Sequence, residues 1–309
     1  MRIFVAGATG VVGPRVVGLL ARAGHAVTGL SRSAAKQALL ESLGATASAV
    51  DMFDRQGLTG AVDGHDAVVN LATHIPTFSK AALPKAWAEN DRIRTEGSRN
   101  LVDAALAARA GLYVQESVTF AYPDMGDGWI DETVPFEPVA NVASVAAAES
   151  HAQRFTDAEC TGVVLRFGLF YAADSSHTAS IVKAARWKMA VTLGRPGAYM
   201  SSIHADDAAS AVLGALSVGP GVYNVVDDEP LTRKENADVL ATALGVGRPV
   251  MAPAVVAGIG GSKTRLLARS QRVSNKRFRQ ASGWAPLYPS AREGWPAVVA
   301  QLRAAETNS

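Results

Sequence analysis

Gly7, Gly10 and Gly13 stand at G-x-x-G-x-x-G spacing between an apolar run at 3–6 and an apolar-periodic stretch at 11–23. A strand, a tight turn and a helix N-terminus in that order make a phosphate-binding device. Glycine lets the backbone turn sharply and approach a pyrophosphate closely, and the first N–H groups of the helix favour negative charge. Pro14 agrees, because proline is tolerated in the first helical turn, where N–H groups have no intrahelical partner. Gly7, Thr9, Gly10, Val11, Val12 and Gly13 are therefore the expected cradle. The bland alternative is a plain strand-to-helix turn.

A second group of residues speaks to which dinucleotide the cradle would hold. The second strand ends in Gly29-Leu30-Ser31-Arg32-Ser33, with no acid at hand. An Asp or Glu there bonds the ribose 2′-OH of NAD, whereas arginine and hydroxyl groups suit the 2′-phosphate of NADP. Ser31 and Arg32 thus predict NADP over NAD. The alternative for Arg32 is a surface arginine at a strand end.

These residues need a scaffold, and the sequence supplies an alternating one. Strand candidates lie at 3–6, 26–30, 46–50, 67–71, 112–116 and 163–167, with helical stretches at 11–23, 34–43, 87–108 and 144–160. Near-continuous apolar strands alternating with helices predict an α/β fold, a Rossmann-type doubly wound parallel sheet covered on both faces. After about residue 170 the rhythm breaks. A strand at 222–226 and a capping box at Thr232–Glu235 opening a helix to Leu244 follow. The expected division is a dinucleotide-binding domain at 1–170, to which 201–227 returns, and a smaller substrate-binding cap from 171–200 and 228–309, its last forty residues turn-rich.

Composition narrows the function. The 309 residues are 48% hydrophobic and 19% charged, with a formal net charge of +2. A near-neutral total argues against dedicated nucleic-acid binding. No apolar run approaches the roughly 20 residues needed to span a bilayer, and the N-terminal apolar segment is spent on the first strand rather than on a signal peptide. The lone Cys160 excludes an internal disulfide framework and fits a reducing cytoplasm. The histidines show neither an H-x-x-x-H pair nor a cysteine at ligand spacing, so no metal is expected. From Lys263 to Arg279 runs a basic stretch with no acid, either a solvated helical face or a basic rim for an anionic substrate.

The glycine pattern and several later segments together resemble the extended short-chain dehydrogenase/reductase family, the NAD-dependent epimerase/dehydratase group. Asp51-Met52 matches its acidic-plus-apolar pair that holds the adenine. Val68-Val69-Asn70-Leu71-Ala72 resembles its fourth strand, ending beside the cofactor ribose, which brings in Leu71, Ala72 and Thr73. Leu165-Arg166-Phe167-Gly168, Ile203-His204-Ala205-Asp206-Asp207-Ala208-Ala209, Tyr223-Asn224-Val225 and Ser282-Gly283-Trp284-Ala285-Pro286 resemble later signatures in the right order. The resemblance implies a dinucleotide cofactor, a small-molecule substrate and a possible homodimer through the helices at 87–108 and 144–160.

The resemblance fails at the catalytic residues. The family uses Tyr-x-x-x-Lys on a helix, with a Ser or Thr after the fifth strand: the lysine lowers the phenol's pKa and the hydroxyl orients a carbonyl. Placing Glu149 at the family's acid puts Asn141 at the tyrosine and Val145 at the lysine, while Val118 takes the hydroxyl position. Candidates to substitute are Thr119, Tyr122 and His74. Thr119 lies one step past the family's serine, and its bland reading is a β-branched strand end. Tyr122 matches a position that usually packs. His74 could act as a base, as the imidazole side chain suits, or be an ordinary loop histidine. Arg94, where the family carries asparagine, could meet a substrate anion or pair with Asp91 or Glu96. The expected function is an NADP-binding oxidoreductase-like enzyme acting on a small carbonyl, alcohol or sugar-type substrate. The alternatives are a redox-neutral isomerase, cyclase or lyase, and a lapsed NADP-binding sensor or scaffold.

Overall fold

The computed structural model describes residues 1–76, 83–137, 143–190, 192, 194–251, 266 and 268–307; Asn141, Lys263 and Arg265 lie outside the described residues. The chain begins β1 (Arg2–Ala6), α1 (Gly13–Arg22), β2 (Ala26–Leu30), α2 (Ala34–Ser42), β3 (Thr46–Ser48), α3 (Arg55–Val62) and β4 (Ala67–Asn70). It continues through α4 (Ala88–Arg92), a π-helical segment (Ile93–Gly97) and α5 (Ser98–Ala107) to β5 (Leu112–Val118), β6 (Trp129–Ile130), α6 (Ala143–Asp157), β7 (Thr161–Phe167) and β8 (Leu169–Tyr171). Next come α7 (Ser176–Arg186), β9 (Met189–Ala190), β10 (Tyr199–Met200), β11 (Ser202–His204), α8 (Ala205–Gly214), β12 (Gly221–Val225) and β13 (Leu231–Thr232). Last are α9 (Arg233–Leu244), β14 (Val250–Met251), β15 (Arg272–Val273), α10 (Lys276–Ser282) and α11 (Ala291–Thr307).

Seven strands pair in parallel in the order β12-β7-β5-β4-β1-β2-β3, the doubly wound sheet expected. The chain runs outward from β1 to β3, then returns to lay β4 on the other side of β1. The reversal leaves a crevice beyond the carboxyl ends of β1 and β4, where ligands bind in folds of this type. Both faces are buried, as the apolar strands require. Val16, Val17 and Leu20 of α1 and Ala208, Ala211 and Val212 of α8 share one core cluster with Val5 and Val69. Leu58, Leu101, Val102 and Phe155 share the other with Phe4 and Val68.

Three elements differ from the sequence reading. α3 was not expected, because its buried residues are only Leu58 and Val62; Asp54 caps it by accepting the Gly57 N–H at 3.1 Å. The stretch read as one helix at 87–108 is broken by the π-helical segment, which turns Arg94 into the interior. The turn-rich C-terminus instead carries the 17-residue α11, opened by Ser290, whose N–H and hydroxyl both donate to Glu293 Oε2. Its S-x-x-E signal was present in the sequence, but Gly294 and Pro296 obscured it.

A buried acid gives a test of this packing. Asp227 follows β12, accepts the Ser202 hydroxyl on Oδ2 at 2.9 Å, and its Oδ1 has no hydrogen-bond partner among the described residues. Burial, with Asp207 and Asp228 nearby, pushes its carboxyl well above the usual range. A raised folded-state pKa means that the stability Asp227 provides when protonated is lost as pH climbs from about 4, the unfolded value, through the folded one. Asp227→Asn lacks that loss. Its Tm relative to wild type should therefore rise between pH 5 and pH 8, by about 2 °C or more on scanning calorimetry. A difference that stays flat with pH would rule out a charge cost at this position.

Candidate active site

The phosphate cradle sits where β1 turns into α1. Gly7 has φ +77°, and a Cβ there would lie 2.5 Å from the Leu71 carbonyl oxygen. At Gly13 a Cβ would come within 2.6 Å of the Ala8 carbonyl oxygen. Both glycines are thus required by the chain's own packing, Gly7 against the Leu71–Ala72 peptide that follows β4 and Gly13 against the backbone of Gly7 and Ala8 that follows β1. Gly10 differs: its N–H closes the turn on Gly7 O at 3.1 Å, and a Cβ would meet nothing closer than 3.5 Å. α1 has no side-chain cap and no acid in its first turn. Arg15 does not supply the positive charge, since it is bound to Asp174 at 2.8 Å and Asp206 at 2.6 Å. The cradle's attraction for an anion comes from backbone N–H groups, and it fits a pyrophosphate.

At the ends of β2 and β3 the structure joins two residues that the sequence reading kept apart. Arg32 Nη1 meets Asp51 Oδ2 at 2.7 Å, with the side chains 64% and 39% exposed. An ion pair so exposed is worth about 0–1 kcal/mol, so Arg32 can turn toward another anion at little cost. Ser31 is buried, its N–H donating to Ser48 O at 2.8 Å. Met52 is buried beneath the π-helical segment, and its carbonyl accepts from Asn100 Nδ2 at 3.1 Å. Past β4, the Leu71 N–H donates to Ala6 O, and the Ala72 N–H to Asn70 Oδ1 at 3.1 Å. Thr73 and His74 are exposed, and His74 is tethered by its N–H to the buried Asn90 at 3.0 Å. Asn70 and Asn90, which shape this loop, were not singled out from sequence.

The catalytic candidates Thr119 and Tyr122 lie beyond β5. Thr119 is buried at the start of a 3-10 turn, Thr119–Ala121, and its carbonyl accepts the Tyr122 N–H. Tyr122 is fully buried; its hydroxyl donates to Asn224 Oδ1 at 2.9 Å and accepts from Arg166 Nη1 at 2.8 Å. Burial raises the phenol above its ordinary pKa, with Arg166 opposing. Tyr122 therefore takes the packing role and not that of an acid facing substrate. Arg166 also grips both oxygens of Glu149, at 2.8 and 2.7 Å, and Ser117 Oγ donates to Glu149 at 2.5 Å. Arg94 pairs with neither Asp91 nor Glu96 but with Glu116, through Nη2 at 2.8 and 2.9 Å. That pair is buried, and burial lifts Glu116 above the usual carboxylate range despite the guanidinium. Val145, which the sequence reading aligns with the family's lysine, is buried on α6. Two buried ion pairs were not read from sequence: Arg94–Glu116, which ties the π-helical segment to β5, and Arg166–Glu149, which ties β7 to α6.

The profile of the NAD dependent epimerase/dehydratase family matches residues 3–225. The chain belongs to this family. Over 306 residues it is 32% identical to the 3-diazoavenalumate denitrifying reductase of a Streptomyces species, covering 95% of this chain and 99% of that one. A 2-alkyl-3-oxoalkanoate reductase of Stenotrophomonas maltophilia is 27% identical over 80% of this chain and 77% of its own. Among solved structures, the human epimerase family protein SDR39U1 with NADPH gives a TM-score of 0.83 at 23% identity, over 98% of this chain and 100% of that one. The Thermus thermophilus UDP-glucose 4-epimerase complex with NAD gives 0.79 at 22% identity, over 99% and 100%. At those identities the structural likeness carries the fold alone. Family membership makes the protein an NAD(P)-dependent enzyme of oxidoreductase/epimerase type, with a nicotinamide cofactor for its glycine cradle.

Proposed function

We propose that the protein is an NADP(H)-dependent reductase of a small organic substrate, acting in the cytoplasm without a tyrosine–lysine acid–base pair. The observation that supports this is a contrast within one crevice: the glycine turn between β1 and α1 is formed, while Val118 and Val145 are the residues that align with two of the family's catalytic positions. Gly7 through Gly13 would hold the pyrophosphate, Asp51 and Met52 the adenine, Ser31 and Arg32 the 2′-phosphate, and Leu71 to Thr73 the ribose side. A bound nicotinamide supplies hydride. Thr119, at the end of β5, orients the accepting group of the substrate with its hydroxyl. An unperturbed hydroxyl is a poor acid, so any proton a carbonyl needs comes from water relayed past Thr119.

The valines favour one further reading of the substrate. An aryldiazonium cation, which would gain hydride at the ring carbon as its C–N bond breaks and dinitrogen leaves, requires no proton and loses little from the missing tyrosine and lysine. The relative named as a denitrifying reductase of a diazo compound supports an acceptor of that kind here.

One experiment separates these readings. NADPH deuterated on either face of C4 is offered with aldehydes, ketones and aryl diazo compounds, and the products are weighed by mass spectrometry. Label is expected in product from one face only. NADPH is expected to bind about tenfold or more tighter than NADH, and Arg32→Ala to erase that preference. Product without label would make the enzyme redox-neutral, binding without any product would leave a sensor or scaffold, and tighter NADH would overturn the assignment of Arg32.

A further inference from the structure

Next to Thr119, Phe120 forms part of the wall of a cavity of about 120 Å³, and His177, the second residue of α7, forms another part. The wall is largely apolar, and several of its polar side chains are committed within the chain. Arg269 and Gln271 both donate to the Tyr122 carbonyl, at 2.8 and 2.6 Å, and Ser202 donates to Asp227 at 2.9 Å. Arg269 also reaches Glu137 at 3.3 Å, and Arg233 donates to the Arg269 carbonyl at 2.8 Å. His177 is different. It is exposed, and neither ring nitrogen has a hydrogen-bond partner among the described residues.

The backbone beneath that ring is fixed. Ser175 caps α7 by accepting the Thr178 N–H at 3.5 Å, and the Thr178 hydroxyl accepts the Ala172 N–H at 3.1 Å. Asp174, three residues before His177, is held by Arg15 of α1 at 2.8 Å, and Arg15 donates to the Val11 carbonyl of the glycine turn at 2.8 Å. The turn that carries His177 is thus tied to the turn that would carry the dinucleotide.

We infer that this cavity receives the substrate and that His177 is its polar anchor, hydrogen-bonding an uncharged oxygen of a small ketone, aldehyde or alcohol, or of that end of a longer one. The inference rests on the reading of the protein as a reductase of small organic molecules, and it names a residue that holds them. Although His177 is exposed, the wall crowds its ring enough to lower its pKa from the ordinary histidine value, and no neighbouring charge opposes. The imidazole is therefore neutral at pH 7, with one N–H donor and one acceptor nitrogen to offer. In a largely apolar wall such a ring suits an uncharged oxygen, since an unpaired ion is costly there. Size sets the scale. An apolar cavity of about 150 Å³ holds benzene, so this smaller one takes about four or five heavy atoms.

The test is NMR of the full chain, with and without NADP+, labelled with 13C at the methionine methyls and 15N at histidine, and titrated with 2-butanone. Met189 and Met200 line the cavity and report its occupancy whatever residue stands at 177. Both methyls should shift, together with the His177 ring nitrogens, identified by their loss in His177→Phe. His177→Phe should bind 2-butanone about threefold or more weakly than wild type, and His177→Gln, which keeps an N–H donor, should retain most of the affinity. Methyls that shift while the imidazole does not move would overturn the inference, as would a His177→Phe that binds as tightly as wild type. So would methyls that stay in place, because the ketone would then bind elsewhere or not at all. Binding that depends on His177, with no deuterium passed from labelled NADPH to the ketone, would uphold the anchor and sink the reductase reading.

Discussion

Gly10→Ala is expected to fold like wild type and lose NADPH, whereas Gly13→Ala is expected to lose stability as well. The two substitutions add the same methyl group three residues apart, in the same turn. Their surroundings differ. At Gly10 the methyl would find 3.5 Å of clearance to the Gly7 carbonyl oxygen, so the chain itself has no objection. What it would fill is the space through which backbone N–H groups reach an anion. At Gly13 it would press on the Ala8 peptide at 2.6 Å, and either β1 or α1 must move. Overpacking of that kind costs about 1–3 kcal/mol, several degrees of Tm in a chain of this length. Melting curves with and without saturating NADPH check both halves. Gly10→Ala should melt within about 1 °C of wild type alone and show little of the wild-type shift with cofactor. A full NADPH shift in Gly10→Ala would mean that the dinucleotide does not dock on this turn.

That contrast also marks what could be read from residues in order and what could not. Gly7, Gly10 and Gly13, the strand at 3–6 and the helix at 11–23 are local neighbours, so their spacing carries the turn and its chemistry. The parallel sheet is legible for a similar reason, since Val68, Val69, Val114 and Val163 lie in short apolar runs separated by helical spacing. The catalytic end is built differently. Arg94 finds Glu116 from 22 residues away only because a π-helical turn rotates it inward, and no periodicity announces that turn. Tyr122 is committed to Asn224 and Arg166, partners 102 and 44 residues distant. Its burial therefore depends on β12 and β7 lying where they do. The cavity is the extreme case: Phe120, Phe170, Arg233 and Trp295, which share its wall, come from four separate segments of the chain. Arg32 and Asp51 were both legible singly, but their pairing required β2 and β3 to be neighbours.

Removing Glu149 is expected to be the most damaging single change in the crevice, although Glu149 touches no proposed cofactor contact. Its carboxylate accepts three hydrogen bonds, two from Arg166 and one from Ser117, and the Arg166 and Glu149 side chains are only 7% and 13% exposed. Glu149→Ala would leave the guanidinium buried against the Tyr122 and Phe136 rings with its countercharge gone. Breaking a buried pair on one side costs about 3–5 kcal/mol, against a total stability of about 5–15 kcal/mol for a domain. Urea denaturation should therefore show a midpoint displaced far toward water for Glu149→Ala. The double variant Glu149→Leu/Arg166→Met removes both charges and fills their space, and should recover most of the loss. If the double variant is as unstable as the single one, the pair's charges are not what holds α6 to β7. Recovery of stability need not restore turnover. Arg166 positions the Tyr122 hydroxyl and Glu149 positions Ser117, so the two together fix both sides of Thr119. A double variant that is stable, binds NADPH and transfers deuterium slowly would show that this pair serves to place the turn that follows β5.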